Sequence, residues 1–289
     1  MTVNIEKICG RYGQFNFDGK SHRLYWEEAG QGIPLICLHT AGSDGRQYRA
    51  VLNDEEITSR FRVLAFDMPW HGKSSPPPGA EPGTYQLTAA GYQQMILAFT
   101  EGLELTQPVV MGCSIGGRIV LHLASNHATK FRALIGLQSS PDVPPYYDTD
   151  WLHRSDVHGG EICGAIAHGL IAPQSPHDAA AETVWHYMQG GPGVFKGDLH
   201  FYKVDGRLNA EDLARIDTAA CPIHFLSGEY DYSAPPEEAR KLADELGAEV
   251  TTMTEMGHFP MSENPVRFLD YLRPVLNEIA SRNLPNDVD

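Results

Sequence analysis

Short apolar runs alternate along the chain with segments of helical periodicity. A continuous apolar run predicts a strand that is covered on both faces, because such a strand turns no polar side toward water. Six runs have this character, the last more weakly than the others: 34–39, 62–66, 108–112, 131–137, 222–226 and 249–253. Helical periodicity follows or separates them at 87–105, 115–129, 235–246 and 264–281.

Before the first of these runs, residues 14–30 predict a β-hairpin that turns at Asp18-Gly19. The hairpin and the six runs together make eight strands. Because strands and helices alternate through most of the chain, we predict an α/β fold with a mostly parallel eight-stranded sheet and helices on both faces.

The alternation is interrupted once, between residues 139 and 216. This stretch is rich in Pro, Gly, Trp, Tyr and His, and it is too long for a loop that joins two buried strands. We therefore predict a mainly helical lid at 139–216, inserted into one core that is formed by 1–138 and 217–289.

Composition and charge narrow the choice of partners. Of the 289 residues 42% are apolar and 20% are charged, which is ordinary for a globular protein, and the formal net charge is −15. An acidic surface repels phosphate backbones and anionic lipids, so we expect a small-molecule substrate and neither nucleic acid nor a membrane as partner. A homodimer stays open as an alternative to a monomer.

The location of the protein is predicted from segments and cysteines. No stretch approaches the about 20 apolar residues that a bilayer span needs, and the first residues lack the apolar centre of a signal peptide. The five cysteines are scattered and include no CxxC pair. We expect a cytoplasmic protein with free thiols.

Ser114 stands in the sequence Gly-Cys-Ser-Ile-Gly, directly after a predicted strand and before a predicted helix. A sharp turn between strand and helix would expose the Ser114 hydroxyl, and it needs glycine at both flanking positions because side chains there would collide. The neighbouring Cys113 is expected to lie buried behind the strand. Ser114 is therefore the candidate nucleophile.

Asp231 and His258 each follow a later predicted strand. The carboxyl ends of parallel strands meet at one edge of a sheet, so both side chains are expected near Ser114. A serine hydroxyl needs a base, and the base needs an acid to orient it, which are the roles predicted for His258 and Asp231. Glu229 is a rival for the orienting acid. The residue after the nucleophile, Ile115, is expected to give one backbone N–H to the oxyanion.

Further motifs resemble those of the α/β-hydrolase superfamily. The order Ser…Asp…His is the order of that superfamily. Residues 67–74, DMPWHGKS, are similar to its D-x-x-G-x-G-x-S turn with Trp70 in place of a glycine, and 257–265 are similar to its histidine segment. The resemblance covers nearly all of the chain outside 139–216 and implies an α/β-hydrolase fold with serine as nucleophile.

The second oxyanion donor is implied by the same resemblance. The superfamily usually has His-Gly-x after the first central strand, and His39-Thr40-Ala41 stands there in this chain. The resemblance points to the Ala41 N–H group, with Thr40 as the rival because it replaces the usual glycine.

Contacts with the substrate are predicted from the aromatic content of the lid and from residues next to the site. Phe259 adjoins His258, and Arg46 follows the oxyanion loop and could bind a substrate carboxylate. Tyr147 and Trp185 are the lid candidates. The alternatives are that Arg46 is an exposed helix residue and that the lid aromatics pack the lid onto the core. The aromatics are Tyr146, Tyr147, Trp151, Trp185, Tyr187, Phe195, Phe201 and Tyr202.

The predicted reaction is hydrolysis of a carboxylic ester or lactone of small to medium size through an acyl-enzyme. Hydrolysis of a carbon–carbon bond next to a ketone is the alternative within enzymes, and a ligand receptor on the same fold is the alternative outside them. The mechanism needs no cofactor. No metal site is predicted, because the lid histidines lack the spacing of metal ligands.

Overall fold

The computed structural model of the protein describes residues 3–142 and 159–282. Eight strands of these residues form one sheet in the order β1-β2-β4-β3-β5-β6-β7-β8. Their bounds are β1 Cys9–Phe17, β2 Lys20–Ala29, β3 Ile33–Leu38, β4 Phe61–Phe66, β5 Val109–Cys113, β6 Ala133–Leu137, β7 Ile223–Gly228 and β8 Glu249–Met253.

Strands β1 and β2 form the predicted hairpin, which begins earlier than expected, at Cys9. The register pairs Phe17 with Lys20 around a tight turn, and Asp18 and Gly19 both have positive φ angles, 48° and 64°. Strand β2 runs antiparallel to β4, and every other neighbouring pair from β4 to β8 is parallel. The mostly parallel eight-stranded sheet is confirmed.

Helices cover both faces of the sheet. They are α1 Arg49–Asn53, α2 Glu55–Thr58, α3 Ala89–Gly102, α4 Ile115–His127, α5 Gly160–Gly169, α6 His177–Met188, α7 Val194–His200, α8 Ala210–Ala214, α9 Pro236–Leu246, α10 Pro260–Glu263 and α11 Pro265–Ser281. Short 3-10 helices at Gly45–Tyr48 and Ala128–Lys130 and a π-helical turn at Phe201–Asp205 are the other helical elements in the described ranges.

The central strands are apolar throughout because each face packs on a different layer of helices. On β5, Val110 belongs to the apolar cluster of α3 and α4, whereas Val109 and Met111 point the other way into the cluster of α1 and α11. This arrangement is the physical reason that continuous apolar runs, rather than alternating ones, predicted the strands.

The inserted segment, residues 139–216, lies between β6 and β7. Its described part carries α5 to α8. Apolar side chains of α5, α6 and α7 join the same core cluster as α3 and α4, so the segment packs on the core rather than around a separate centre. Tyr147, a predicted substrate contact, lies outside the described residues. Within the described ranges, no helix is both long enough and apolar enough to cross a bilayer.

Candidate active site

Ser114 occupies the turn between β5 and α4. Its backbone has φ 60° and ψ −110°, a left-handed conformation that a non-glycine residue adopts only at a cost of about 1–3 kcal/mol. A bond from the Ser114 N–H group to the Leu137 carbonyl, at 3.0 Å, helps to hold the turn. A Cβ atom on Gly112 would lie 2.4 Å from the Gly116 carbonyl oxygen, which is why glycine is needed there.

Cys113 points away from the position that the turn exposes. Its thiol is buried and lies 3.2 Å from the carbonyl oxygen of His258. Burial raises the pKa of the Cys113 thiol well above its usual value, so the thiol stays protonated at neutral pH. Ser114, rather than Cys113, is therefore the candidate nucleophile at this turn.

Asp231 and His258 form a buried pair at the carboxyl edge of the sheet. His258 Nδ1 lies 2.8 Å from Asp231 Oδ2, and the other carboxylate oxygen accepts the N–H groups of Ser233 and Ala234. Because a carboxylate accepts, His258 carries its proton on Nδ1, which leaves the Nε2 lone pair free to act as a base. The rival carboxylate, Glu229, is exposed and accepts the N–H group of Glu255 instead.

Two buried side chains that sequence reasoning did not identify hold the loop of His258. Glu263 accepts the N–H groups of Gly257 and Phe259 on either side of the histidine, and burial raises the pKa of this carboxyl to about 7. Gln138 donates to the Gly257 carbonyl at 2.6 Å and accepts the Gly228 N–H group at 2.9 Å. Glu263 could have been suspected because it lies in the histidine segment, but nothing near Gln138 in sequence marks it.

The loop after β3 contains the two candidates for the second oxyanion donor, Thr40 and Ala41. The Thr40 N–H group donates to Gln47 Oε1 at 3.0 Å, and the Gly42 N–H group donates to Asp198 Oδ2 at 2.7 Å. Both amides are thus already used, and among the described residues none accepts from the Ala41 N–H group. The geometry favours Ala41 over Thr40.

The first donor, Ile115, is the first residue of α4. Amide groups in the first turn of a helix have no acceptor within the helix, and the helix dipole favours negative charge at this end. The Ile115 N–H group is therefore a candidate oxyanion donor next to Ser114.

A small cavity of about 20 Å³ lies between the core and the inserted segment, and Ser114 and His258 both line it. This volume is room for about one water molecule. Ala41 and Phe259 form part of the core side of the wall. The inserted segment supplies the opposite wall, with Ile166, Leu170, Tyr187, Phe195, Leu199 and Tyr202.

Two predicted substrate contacts lie away from this cavity. Trp185 on α6 is 57% exposed and is not among the described residues that line it, whereas the adjacent Tyr187 is. Arg46 makes two bonds to Asp44, at 2.8 and 2.6 Å, and lines a different, polar cavity of about 280 Å³. Of the three predicted contacts that lie in the described residues, the structure brings only Phe259 to the wall near Ser114.

One group of side chains in the described ranges has the spacing of metal ligands. His224, Glu249 and Glu278 present atoms within 4.8 Å of one another. His224 is the second residue of β7, so the group lies toward the opposite end of that strand from Asp231. Glu278 is already bonded to Arg282. This cluster has no part in the site around Ser114.

Several solved structures have a fold similar to that of this chain. Solved structures that resemble it include a malate-bound thermophilic esterase from Thermogutta terrifontis, with a TM-score of 0.79, 20% identity and coverage of 94% of this chain and 100% of that one. The enol-lactonase from Burkholderia xenovorans LB400 has a TM-score of 0.77, 16% identity and the same coverage. At these identities the likeness shows the fold alone.

Sequence relatives match a shorter region. The pimeloyl-[acyl-carrier protein] methyl ester esterase of Vibrio vulnificus is 30% identical over 118 residues, so this chain spans about two fifths of the length of the curated relatives it matches. Residues 33–180, just over half of the chain, match the sequence profile described as alpha/beta hydrolase fold. The resemblance found in the sequence motifs is confirmed, and the chain belongs to the α/β-hydrolase fold family.

Proposed function

We propose that this protein is a serine hydrolase that cleaves carboxylic esters or lactones through an acyl-enzyme. The observation that carries the proposal is that His258, held by a 2.8 Å bond to the buried Asp231, lines the same cavity as the strained Ser114. The family match supports a hydrolase, and the named relatives, two esterases and an enol-lactonase, all act on oxygen esters.

The reaction proceeds in two steps on these groups. His258 Nε2 removes the proton of Ser114 Oγ as that oxygen attacks the carbonyl carbon, and Asp231 stabilises the imidazolium that forms. The N–H groups of Ile115 and Ala41 bind the oxyanion. His258 then gives its proton to the leaving alkoxide, and the carbon–oxygen bond breaks.

Water completes the cycle by the same route. His258 removes a proton from a water molecule that attacks the acyl-enzyme, the oxyanion forms again on the two amides, and the proton returns to Ser114 Oγ as the acid leaves. In this scheme the inserted segment acts as a lid, because its apolar side chains form the outer wall of the cavity and exclude bulk water. Those walls favour an apolar acyl group.

The proposal is tested by labelling and turnover on matched serine variants. We expect a fluorophosphonate to add to Ser114 of the wild type, and we expect Ser114→Ala to lose the label and about 10³-fold or more of kcat on p-nitrophenyl esters and lactones. Ser227→Ala is the control, because Ser227 is a buried serine on β7 whose hydroxyl has no partner in the described part of the chain.

Two outcomes would contradict the proposal. Activity that persists in Ser114→Ala contradicts the proposal. Labelling of Ser114 without turnover of any ester or lactone contradicts the ester proposal and favours the carbon–carbon hydrolase, which would first ketonise a dienol substrate. A panel of acyl lengths then measures how far the cavity opens, since at about 20 Å³ it has room for about one water molecule and must widen to admit an acyl group.

A further inference from the structure

The inserted segment reaches into the oxyanion loop through Asp198 on α7. The Asp198 side chain is completely buried, and each of its oxygens is bonded to the core. Oδ2 accepts the Gly42 N–H group at 2.7 Å and lies 2.8 Å from His71 Nε2, while Oδ1 accepts the hydroxyl of Tyr85 at 2.7 Å. Gly42 directly follows Ala41, the proposed oxyanion donor.

His71 carries a positive charge in this arrangement. Its Nδ1 lies 2.9 Å from the Pro69 carbonyl oxygen and its Nε2 faces the Asp198 carboxylate, so both ring nitrogens face acceptors and both must donate. Burial lowers the pKa of His71, but the charge and hydrogen bond of Asp198, the bond to the Pro69 carbonyl and the charge of Asp67 together raise it above its usual value. A buried ion pair therefore joins the inserted segment to the core.

His39, whose ring lies next to the charged ring of His71, is neutral. Its Nε2 accepts the Met68 N–H group and its Nδ1 donates to the Thr40 carbonyl, so it bears one proton. Burial and the nearby charge of His71 lower the pKa of His39 to about 4. The charge of the pair is thus located on His71.

A second contact from the inserted segment meets the other side of Ala41. The hydroxyl of Tyr187 on α6 is hydrogen-bonded to Thr40 Oγ1, and Thr40 is also fixed by Gln47. Gly42 has φ 70°, a conformation with wide freedom for glycine, so its peptide needs an external partner to stay in one orientation. Asp198 is that partner.

We propose that Asp198, charged and paired with His71, is a positioning residue for the oxyanion hole. By holding the Gly42 N–H group it fixes the peptides around Ala41, so that the Ala41 amide points at the developing oxyanion only when α7 is docked on the core. The inference rests on the proposed acyl transfer. An oxyanion donor acts in the transition state, so its misplacement lowers kcat more than it raises KM.

The test compares Asp198→Asn and Asp198→Ala with a matched control, Tyr85→Phe. Tyr85→Phe removes the bond to the other oxygen of the same carboxylate and leaves the Gly42 bond in place, so it measures loss of packing and hydrogen bonding alone. Each protein is assayed on p-nitrophenyl acetate and on its thionoester, in which sulfur replaces the carbonyl oxygen. Thermal unfolding checks the fold of each variant.

The ratio of the two rates reports on the oxyanion hole. Sulfur is larger and accepts hydrogen bonds weakly, so the two amides speed the oxoester more than the thionoester. We expect Asp198→Ala to lose about 10²-fold in kcat on the oxoester, with a much smaller loss on the thionoester, because one donor is misdirected. Asp198→Asn keeps an acceptor but loses the charge, and we expect it to lose about tenfold in kcat on the oxoester.

Defined results overturn the inference. If Asp198→Asn leaves both kcat and the rate ratio as in Tyr85→Phe, Asp198 only stabilises the fold. If Asp198→Ala does not fold, the rate ratio of Asp198→Asn decides alone. Ser114→Ala is assayed in parallel. If it keeps wild-type rates, the proposed function itself has failed. If Ser114→Ala is inactive and the rate ratio of Asp198→Asn is unchanged, only the positioning role is rejected.

Discussion

Asp231 fixes the tautomer of His258, and an amide in its place should reverse that tautomer. Asp231 Oδ1 accepts the N–H groups of Ser233 at 2.8 Å and Ala234 at 3.2 Å. In Asp231→Asn these two donors keep the amide oxygen at that position, because an NH2 group there would face two N–H groups. The NH2 group then faces His258 Nδ1, which must accept, so the ring proton moves to Nε2.

With its proton on Nε2, His258 cannot remove the proton of Ser114. We expect kcat to fall by about 10⁴-fold, the loss that the same exchange causes in a serine protease triad, which corresponds to about 5.4 kcal/mol in the barrier. The melting temperature should change little, because asparagine has nearly the same shape and keeps both backbone bonds. The assays are kcat on a p-nitrophenyl ester, thermal unfolding, and ¹⁵N chemical shifts of the His258 ring, which report the tautomer directly.

Glu229→Gln provides the matched control for this exchange. It makes the same change of carboxylate to amide two residues away, at an exposed side chain that has no contact with His258 in the described structure. We expect its kcat to stay at the wild-type value. The reasoning is refuted if Asp231→Asn keeps kcat within about tenfold of the wild type, or if its ring proton is still found on Nδ1.

Two further predictions concern stability. Burial raises the pKa of Glu263 from 4.5 to about 7, so the native state keeps a proton that the unfolded chain releases, and this group makes the protein less stable as pH rises through that interval. Urea unfolding between pH 4.5 and 8 should show that Glu263→Gln removes up to about 3 kcal/mol of this decline in the free energy of unfolding. Burial also raises the pKa of Asp67, but its contribution is the same in both proteins and cancels in the comparison. If the free energy of unfolding falls equally steeply with pH in the wild type and the variant, the prediction is wrong. A Cβ atom on Gly117 would lie 2.4 Å from the Leu137 carbonyl oxygen, so Gly117→Ala should cost about 1–3 kcal/mol in thermal unfolding, whereas Gly169→Ala, whose Cβ meets nothing closer than 3.7 Å, should not. Equal stability of the two variants would count against that account.

The sheet and the proposed triad could be predicted because their signals are local in sequence. Strand β8 has the predicted bounds, 249–253, and the other central strands differ from prediction by at most two residues at either end. Asp231 and His258 were found from one geometric rule, that parallel strands end at the same edge. The hairpin was placed too late because its first residues are exposed and polar in character, so no apolar run marks them.

The supporting residues could not be predicted because their partners are distant in sequence. Gln138 bonds to residues 90 and 119 positions away, and Asp198 bonds to Gly42 across 156 positions. From the sequence we predict Trp185 rather than Tyr187 as a substrate contact, but the sequence does not show which side of α6 meets the core. Periodicity in a short helix does not settle that question, but the exposed Trp185 and buried Tyr187 do.

The burial of Asp198 raises the question of why the inserted segment has a charged side chain at a buried position. An isolated buried carboxylate is strongly disfavoured, and even a well-paired one often stabilises a fold no more than apolar side chains of the same volume would. Apolar side chains in place of both Asp198 and His71 would therefore serve packing about equally well. They would not bind the Gly42 N–H group. Asp198 is bonded to the loop for which we propose an oxyanion-binding role, and in that proposal the ion pair is better explained by the geometry that it imposes on the loop than by the stability that it adds.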